Sequence, residues 1–389
     1  MLEGARKPGA KILVSGGSRC NVTNAAVRDT DFWSSGRRTT IRRILRAMSV
    51  AETIAWFAAM GVPLHEEADG KLFPDSNRSR DVLNALLDEA ARVGAAVWAG
   101  ARVTDVRRQT EHFDVVTARG TLSARCVVLA TGGQSLPKTG SDGAGFGMAR
   151  TLGHTIVTTT PALAPLVLES QGQTPWFAGL SGVAQPVELS VWIDGTVAQR
   201  LRGAMLWTHF GVSGPAALNA SRHWERARVE GRRVRVTASF VPGCSFDRAD
   251  ARLTAMGAER PRAAIATLLT QLVPASLASA LAHHASVDES RPLAQLTREE
   301  RRRLSHVLVE LELPVTASRG FTYAEATAGG VPLSEIESRT MESRVCPALY
   351  LVGEVLDVDG RLGGFNFQWA WSSAKVAARG IAERFSRTA

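Results

Sequence analysis

The sequence predicts an α/β fold in which one parallel sheet is interrupted by a long insertion. Two apolar runs of strand length carry this reading: Cys126-Val127-Val128-Leu129-Ala130 and Ala348-Leu349-Tyr350-Leu351-Val352. Continuous hydrophobicity of this kind marks strands covered by helices on both faces. Each run ends in glycine beside a polar group, Thr131-Gly132-Gly133 in one case and Gly353-Glu354 in the other. In open α/β sheets ligands sit there, beyond the carboxyl ends of the strands. Residues 131–347 separate the two runs, and they have a character of their own.

The elements follow in order. Ile41, Ile44, Leu45 and Met48, then Ile54, Trp56, Phe57 and Met60, have the spacing of two short amphipathic helices. Residues 63–73 predict a strand pair around the turn dipeptide Asp69-Gly70. Asn77 or Ser79 can cap a helix through Val82, Leu83, Leu86 and Leu87 that stops at Gly94. Short strands are expected at 96–99, 102–107 and 113–118. The insertion is rich in Val, Leu and Thr over 163–240, which predicts β-structure with Asp194-Gly195 as a hairpin turn. Leucines recur at helical spacing over 247–313, and 315–343 return to the β part. The expected division is an outer domain of residues 1–160 and 346–389, an inserted β-rich domain of 161–245 and 314–345, and a helical subdomain of 246–313.

Composition narrows the function classes. At 389 residues, 45% hydrophobic and 21% charged, the chain is globular. No apolar run approaches the roughly 20 residues that span a bilayer, and Met1–Arg6 has no apolar core of a signal peptide. A cytoplasmic protein with no membrane partner is therefore expected. Cys20, Cys126, Cys244 and Cys346 are scattered, so neither a metal site nor a disulfide framework is indicated. The net charge is +9, almost all from arginine; Lys7, Lys11, Lys71, Lys138 and Lys375 are the only lysines. The arginine clusters at 37–46, 222–235 and 298–303 are read as solvated faces, with a polyanion such as RNA as the alternative.

Four motifs bear chemistry. Ser15-Gly16-Gly17-Ser18-Arg19-Cys20-Asn21-Val22-Thr23-Asn24 pairs two glycines, which allow close backbone approach, with Ser15, Asn21, Thr23, Asn24 and the charge of Arg19. The second motif is Thr131-Gly132-Gly133. In the third, Gly353-Glu354 precedes Gly363-Gly364-Phe365-Asn366, which opens an apolar helix whose N–H groups suit an anion or a carbonyl oxygen. The fourth, Thr208-His209-Phe210-Gly211, offers a histidine for proton transfer or for a structural hydrogen bond. No G-x-S-x-G elbow and no Walker loop occurs. Gly143–Gly147 imitates a dinucleotide fingerprint but lacks the strand before it.

Together these segments resemble the BaiN/YhiN-like flavoproteins, a family of FAD-dependent oxidoreductases that includes aminoacetone-oxidase-like members. The likeness runs through Lys11–Asn24, Gly70–Pro74 with Ser76-Asn77-Arg78, Leu129–Gly133 with Pro137–Ser141, Thr208–Pro215, Thr327–Val331 and Gly353–Gln368. It implies a glutathione-reductase-like FAD-binding Rossmann domain with inserted β-barrel-like and helical subdomains. FAD contacts would fall at Ser15–Asn24 (Ser15, Gly16, Gly17, Arg19, Cys20, Asn21, Thr23 and Asn24), at Val103 on the adenine side, at Thr131, Gly132 and Gly133, at Gly353 and Glu354, and at Gly363, Gly364, Phe365 and Asn366. NAD(P)H is a possible electron donor. The family's opening strand and G-x-G-x-x-G turn have no counterpart, and Glu3 resembles the acid that follows them by about 20 residues to hold the ribose. The expectation is a cellular protein that begins upstream of Met1. Cys20 and His209 are the proton-transfer candidates. The expected activity is hydride transfer between flavin and a substrate carbon. The substrate is either a small molecule or, as the alternative, uridine in ribosomal RNA. A non-catalytic RNA-binding protein is the reading from a different class.

Overall fold

The computed structural model describes residues 1–169 and 175–386. Residues 170–174 of the expected β-rich segment, and 387–389 at the end of the outer domain, lie outside them. The chain divides into two compact units, residues 1–161 with 321–389, and residues 162–320.

In the first unit the two apolar runs do pair in parallel, Leu349, Tyr350 and Leu351 lying against Val127, Val128 and Leu129. Leu349–Leu351 is buried throughout, because Glu342–Ser343 pairs with it on the other side, followed by Ile336–Glu337. Val127–Leu129 is different. It is the edge of that sheet, and Val128 is 41% exposed. The expectation of burial on both faces therefore fails for this strand, which has a neighbour on one side only. The strand expected at 96–99 is reduced to one parallel bridge, Leu2 to Trp98.

The rest of the unit follows its side-chain pattern. Phe113, Val115 and Thr117 alternate inward along Phe113–Thr117, the middle strand of a meander with Val103–Arg108 and Gly120–Ala124. Ser79–Arg92 is the expected helix and buries Val82, Leu83 and Ala85, although its cap position is Arg78 and no side chain caps it. Lys71–Pro74 pairs with both Leu64–Glu67 and Thr23–Asn24. The last helix, Phe365–Ser386, presents Phe365, Trp369, Val376 and Ala377 to a core shared with Leu349–Val352.

The boundary expected at 345 needs correction. Residues 321–345 belong to the first unit, because Ile336–Glu337 and Glu342–Ser343 extend its sheet and His154 bonds to Glu335 at 2.6 Å.

The second unit holds a seven-stranded antiparallel sheet built largely on the long hairpin Ala184–Ile193 and Thr196–Thr208. Its two edge strands, Leu311–Leu313 and Val315–Ser318, are joined only by Pro314. The sheet must therefore curl until its edges meet, which gives the expected barrel-like form. The helices Phe246–Glu259, Ala275–His284 and Arg298–Glu310 share one apolar core with that sheet, so the helical and β-rich segments form a single unit. Gly214–Val229 is also helical, inside the stretch expected to be β. Pro215 stands in its first turn, where a missing N–H costs nothing, and Ala216, Ala217 and Ala220 let it lie close on the strands.

Candidate functional site

Two hydrogen-bond nodes in the first unit join the sequence motifs. The first is built on Glu354, just past strand Leu349–Leu351. One carboxylate oxygen accepts from the Lys11 ammonium at 2.6 Å; the other accepts from the Ser135 hydroxyl at 2.9 Å and the Thr327 amide at 2.8 Å. Lys11 also donates to Ser135 Oγ at 2.6 Å, and Thr327 Oγ1 accepts from the amides of Gln134 and Ser135. Four segments distant in sequence thus meet at one carboxylate. Burial acts to raise the Glu354 carboxyl, but the Lys11 charge and the three hydrogen bonds outweigh it and hold the pKa below the ordinary value. The group is ionised at neutral pH, with 17% of its side chain open to solvent.

Around this node the backbone is open. Ala130 and Thr131 are exposed at the end of the edge strand, and Gly17 and Ser18 are exposed in the glycine loop. Gly17 has φ 67°, and a Cβ there would meet nothing within 4 Å. A ligand can approach that main chain directly. Gly133 is buried against Thr327 and Glu354, where a side chain would collide. Glu325 opens to solvent beside the node, its carbonyl accepting from Ser135 at 3.3 Å. Its carboxyl is nevertheless desolvated enough to be pushed above the ordinary range, with the Lys11 charge opposing.

The second node staples the glycine loop to the last helix. Thr23 Oγ1 donates to Gln368 Oε1 at 2.6 Å, and Asn24 Nδ2 donates to the carbonyls of Gly363 and Asp69 at 3.1 and 3.0 Å. Asn21, with its amide turned so that both ends are satisfied, accepts from the Gly364 amide at 3.1 Å and donates to the Thr23 and Leu72 carbonyls. Gly364 has φ 90°, and a Cβ there would strike the Thr23 backbone. Only glycine allows that approach.

Several expected contacts are therefore turned inward. Asn21, Thr23 and Asn24 are buried and bond to protein. Arg19 bridges Glu67 at 2.6 Å, bonds Asn77 and lies 4.0 Å over the Phe73 ring, so its charge is already spent. Asn366 closes on Gly360 through both amide atoms. Phe365 is buried against Phe32, and Gly353 bonds to Ser373 and Trp369. Ser15 Oγ donates to the Ile12 carbonyl. Glu3 accepts from the Ala5 amide beside the Leu2–Trp98 bridge, and Val103 packs on the core from the meander. The parts of the expected set that face outward are the main chain at Gly17, Thr131 and the ionised edge of Glu354.

Cys20 is fully buried among Val22, Phe57, Val62 and Val82. Burial pushes its thiol up to about 11, with Ser15 pulling weakly the other way. A buried, protonated thiol packs; it neither ionises nor reaches a substrate. His209 lies in the second unit, exposed in the turn between Thr196–Thr208 and Gly211–Ser213, edge-on to Phe210. Sequence reasoning missed Ser135, Glu325 and the site role of Lys11. A signal for Lys11 was present: it is one of five lysines in a chain that otherwise uses arginine.

The profile of the HI0933-like protein Rossmann domain matches residues 1–380. The chain belongs to the HI0933-like family. Curated relatives span it end to end. It is 30% identical over 99% of its length to a 3-dehydro-bile acid delta(4,6)-reductase of Clostridium scindens, covering 92% of that protein. It is also 30% identical over 98% of its length to a ribosomal RNA dihydrouridine synthase of Escherichia coli, covering 91% of it. Among solved structures, the open conformation of a flavocytochrome c3 fumarate reductase overlaps 98% of this chain and 73% of its own, with 14% identity and a TM-score of 0.46. Like other members of the HI0933-like family, the chain is an FAD-dependent oxidoreductase. Its donor set suits that cofactor. A carboxylate and an ammonium, ion-paired and each partly open to solvent, fit a polyhydroxyl chain, and a positive-φ glycine at position 17 gives a flat ring close access to the main chain. No helix of the described residues is long and apolar enough to cross a membrane.

Proposed function

We propose that the chain transfers a hydride between FAD and a substrate carbon, acting reductively on a carbon–carbon double bond conjugated to a carbonyl. FAD held there would, once reduced by two electrons, supply the hydride and return to its oxidised form. The observation that carries the reading is the Lys11–Glu354–Ser135–Thr327 node, a polar cradle whose groups hold one another in place. Preorganised groups of this kind need no rearrangement during reaction.

The chain's own residues then have separable tasks. Lys11 and Glu354 would hold the cofactor's hydroxyls, and the exposed chain at Gly17 and Thr131 would offer it main-chain contacts. The Asn21–Gly364 and Thr23–Gln368 staples fix the loop. Reduction of a conjugated double bond adds a hydride to one carbon and a proton to its neighbour. Glu325, beside the node with its carboxyl pushed above the ordinary range by desolvation, is proposed as the group that holds that proton. Cys20 is left a packing role. The reductase name of the C. scindens relative supports the reductive direction, and NADH or NADPH is proposed as the reductant of the flavin.

The second reading, uridine in ribosomal RNA as substrate, is favoured by the E. coli relative's name and by the excess of arginine. Anaerobic mixing of the FAD-loaded chain with NADH or NADPH, followed by a steroid dienone or a uridine-containing RNA, tests both readings. Bleaching of the flavin and recolouring by one substrate is the expected result. Recolouring by neither, in a chain that does bleach, would refute the reductive assignment.

A further inference from the structure

A cavity of about 330 Å³ lies beside the last helix, away from the Glu354 cradle. Arg28, Arg42, Arg46 and Ser49 line it, with Val27 and Leu45 as apolar wall. Gln368 also faces it, and the same side chain accepts from Thr23 of the glycine loop. The cavity therefore backs onto the loop through one residue, while its other walls belong to no part of the cradle.

The charge there is unbalanced. Asp29, on the same wall, is bonded to Arg42 at 2.9 Å, and that bond with the nearby Arg38 charge keeps its carboxyl below the ordinary range. Asp31 is held by Arg361 and the Arg28 amide, and Glu52 by Ser49 and Lys375. Each of these neighbouring carboxylates is committed. Arg28 and Arg46 line the cavity, and no carboxylate partner of either guanidinium is among the described contacts. Arg46 caps the C-terminus of Arg38–Leu45, where the helix dipole accounts for a cation. It does not account for Arg28, which arrives from a different segment and converges on the same space. Two free guanidinium forks over an apolar wall match a phosphate carried on a flat apolar body. The volume stands at the lower end for ligand pockets, about 300 Å³, which admits one nucleotide and not a dinucleotide.

We propose that this cavity is a second ligand site and takes the phosphate of a nucleotide, either free or as one unit of an RNA chain. The proposal is independent of the reductive reading. The test measures UMP and uridine binding to the FAD-loaded chain by calorimetry at fixed ionic strength. UMP should bind at least tenfold more tightly than uridine, and the Arg28→Gln/Arg46→Gln variant should lose at least tenfold for UMP with unchanged flavin content and melting temperature. Arg260→Gln, an exposed arginine of the second unit, should bind as the parent does. A short uridine-rich RNA that displaces UMP identifies the polymer as source, and one that does not identifies the free nucleotide. Equal binding of UMP and uridine, or undiminished UMP binding by the double variant, overturns the proposal.

Discussion

At the residue scale the site rests on the charge state of Glu354. Its carboxyl is held below the ordinary 4.5 chiefly by Lys11, against burial. A carboxylate with a depressed folded pKa contributes stability that is present above its unfolded value and is lost as pH falls through the folded value. Lys11→Met should therefore destabilise the chain at neutral pH by about 1–3 kcal/mol, the range for leaving a partly buried polar group without its partner. The loss should shrink as the pH falls below 4.5, and urea titrations near neutral and near pH 4 measure both. Cys20 gives the opposite sign. Its pKa is raised from 9.0 to about 11, so the folded state keeps its proton after the unfolded state has lost it. Stability should be full below pH 9.0 and fall as the pH rises towards 11. Iodoacetamide near pH 8 should label Cys244 and spare Cys20 in the native chain. Cys20→Ala should keep flavin turnover within about threefold while losing about 1–2 kcal/mol of packing, and a turnover loss of a hundredfold or more would restore a catalytic role.

At the element scale, the glycine loop and the last helix depend on each other. Gly364→Ala places a Cβ on the Thr23 backbone at a φ of 90°, so a loss of at least about 2 kcal/mol is expected, the sum of strain and collision. Thermal melting with bound FAD reads it, and Gly17→Ala, which meets open space, should cost less in melting temperature than in FAD affinity. The loop itself was legible in the sequence as a dense run of glycines and polar side chains. Which of those side chains would face a ligand was not. Thr23 meets Gln368 across 345 residues and Asn24 meets Gly363 across 339, and no local pattern encodes partners so distant. The parallel pairing of the two apolar runs was legible for the opposite reason, since burial of a strand is written in its own side chains. Val128 shows where that reasoning stops: an edge and a centre strand share one apolar pattern. The helix Gly214–Val229 was hidden because Gly-Pro reads as a turn, although Pro in the first turn starts a helix as readily.

At the scale of the whole molecule, the chain is interrupted once and returns. Residues 162–320 form a unit with its own core, and the segment that follows brings Glu325 and Thr327 to the cradle before the sheet resumes. Glu325→Gln should therefore leave FAD affinity within about twofold, slow substrate reduction by about 100-fold or more, and remove the high-pH limb of the rate profile. Loss of FAD affinity in that variant would place the residue in the cofactor cradle instead. The most direct test is titration of the purified chain with FAD, followed by its visible absorbance, beside Lys11→Met and Glu354→Gln. The expected result is one FAD bound per chain in the parent, bleached by NADH or NADPH without air, and at least tenfold weaker binding in both variants. A folded parent that retains no FAD, or a Glu354→Gln chain that binds it as tightly as the parent, would contradict the assignment.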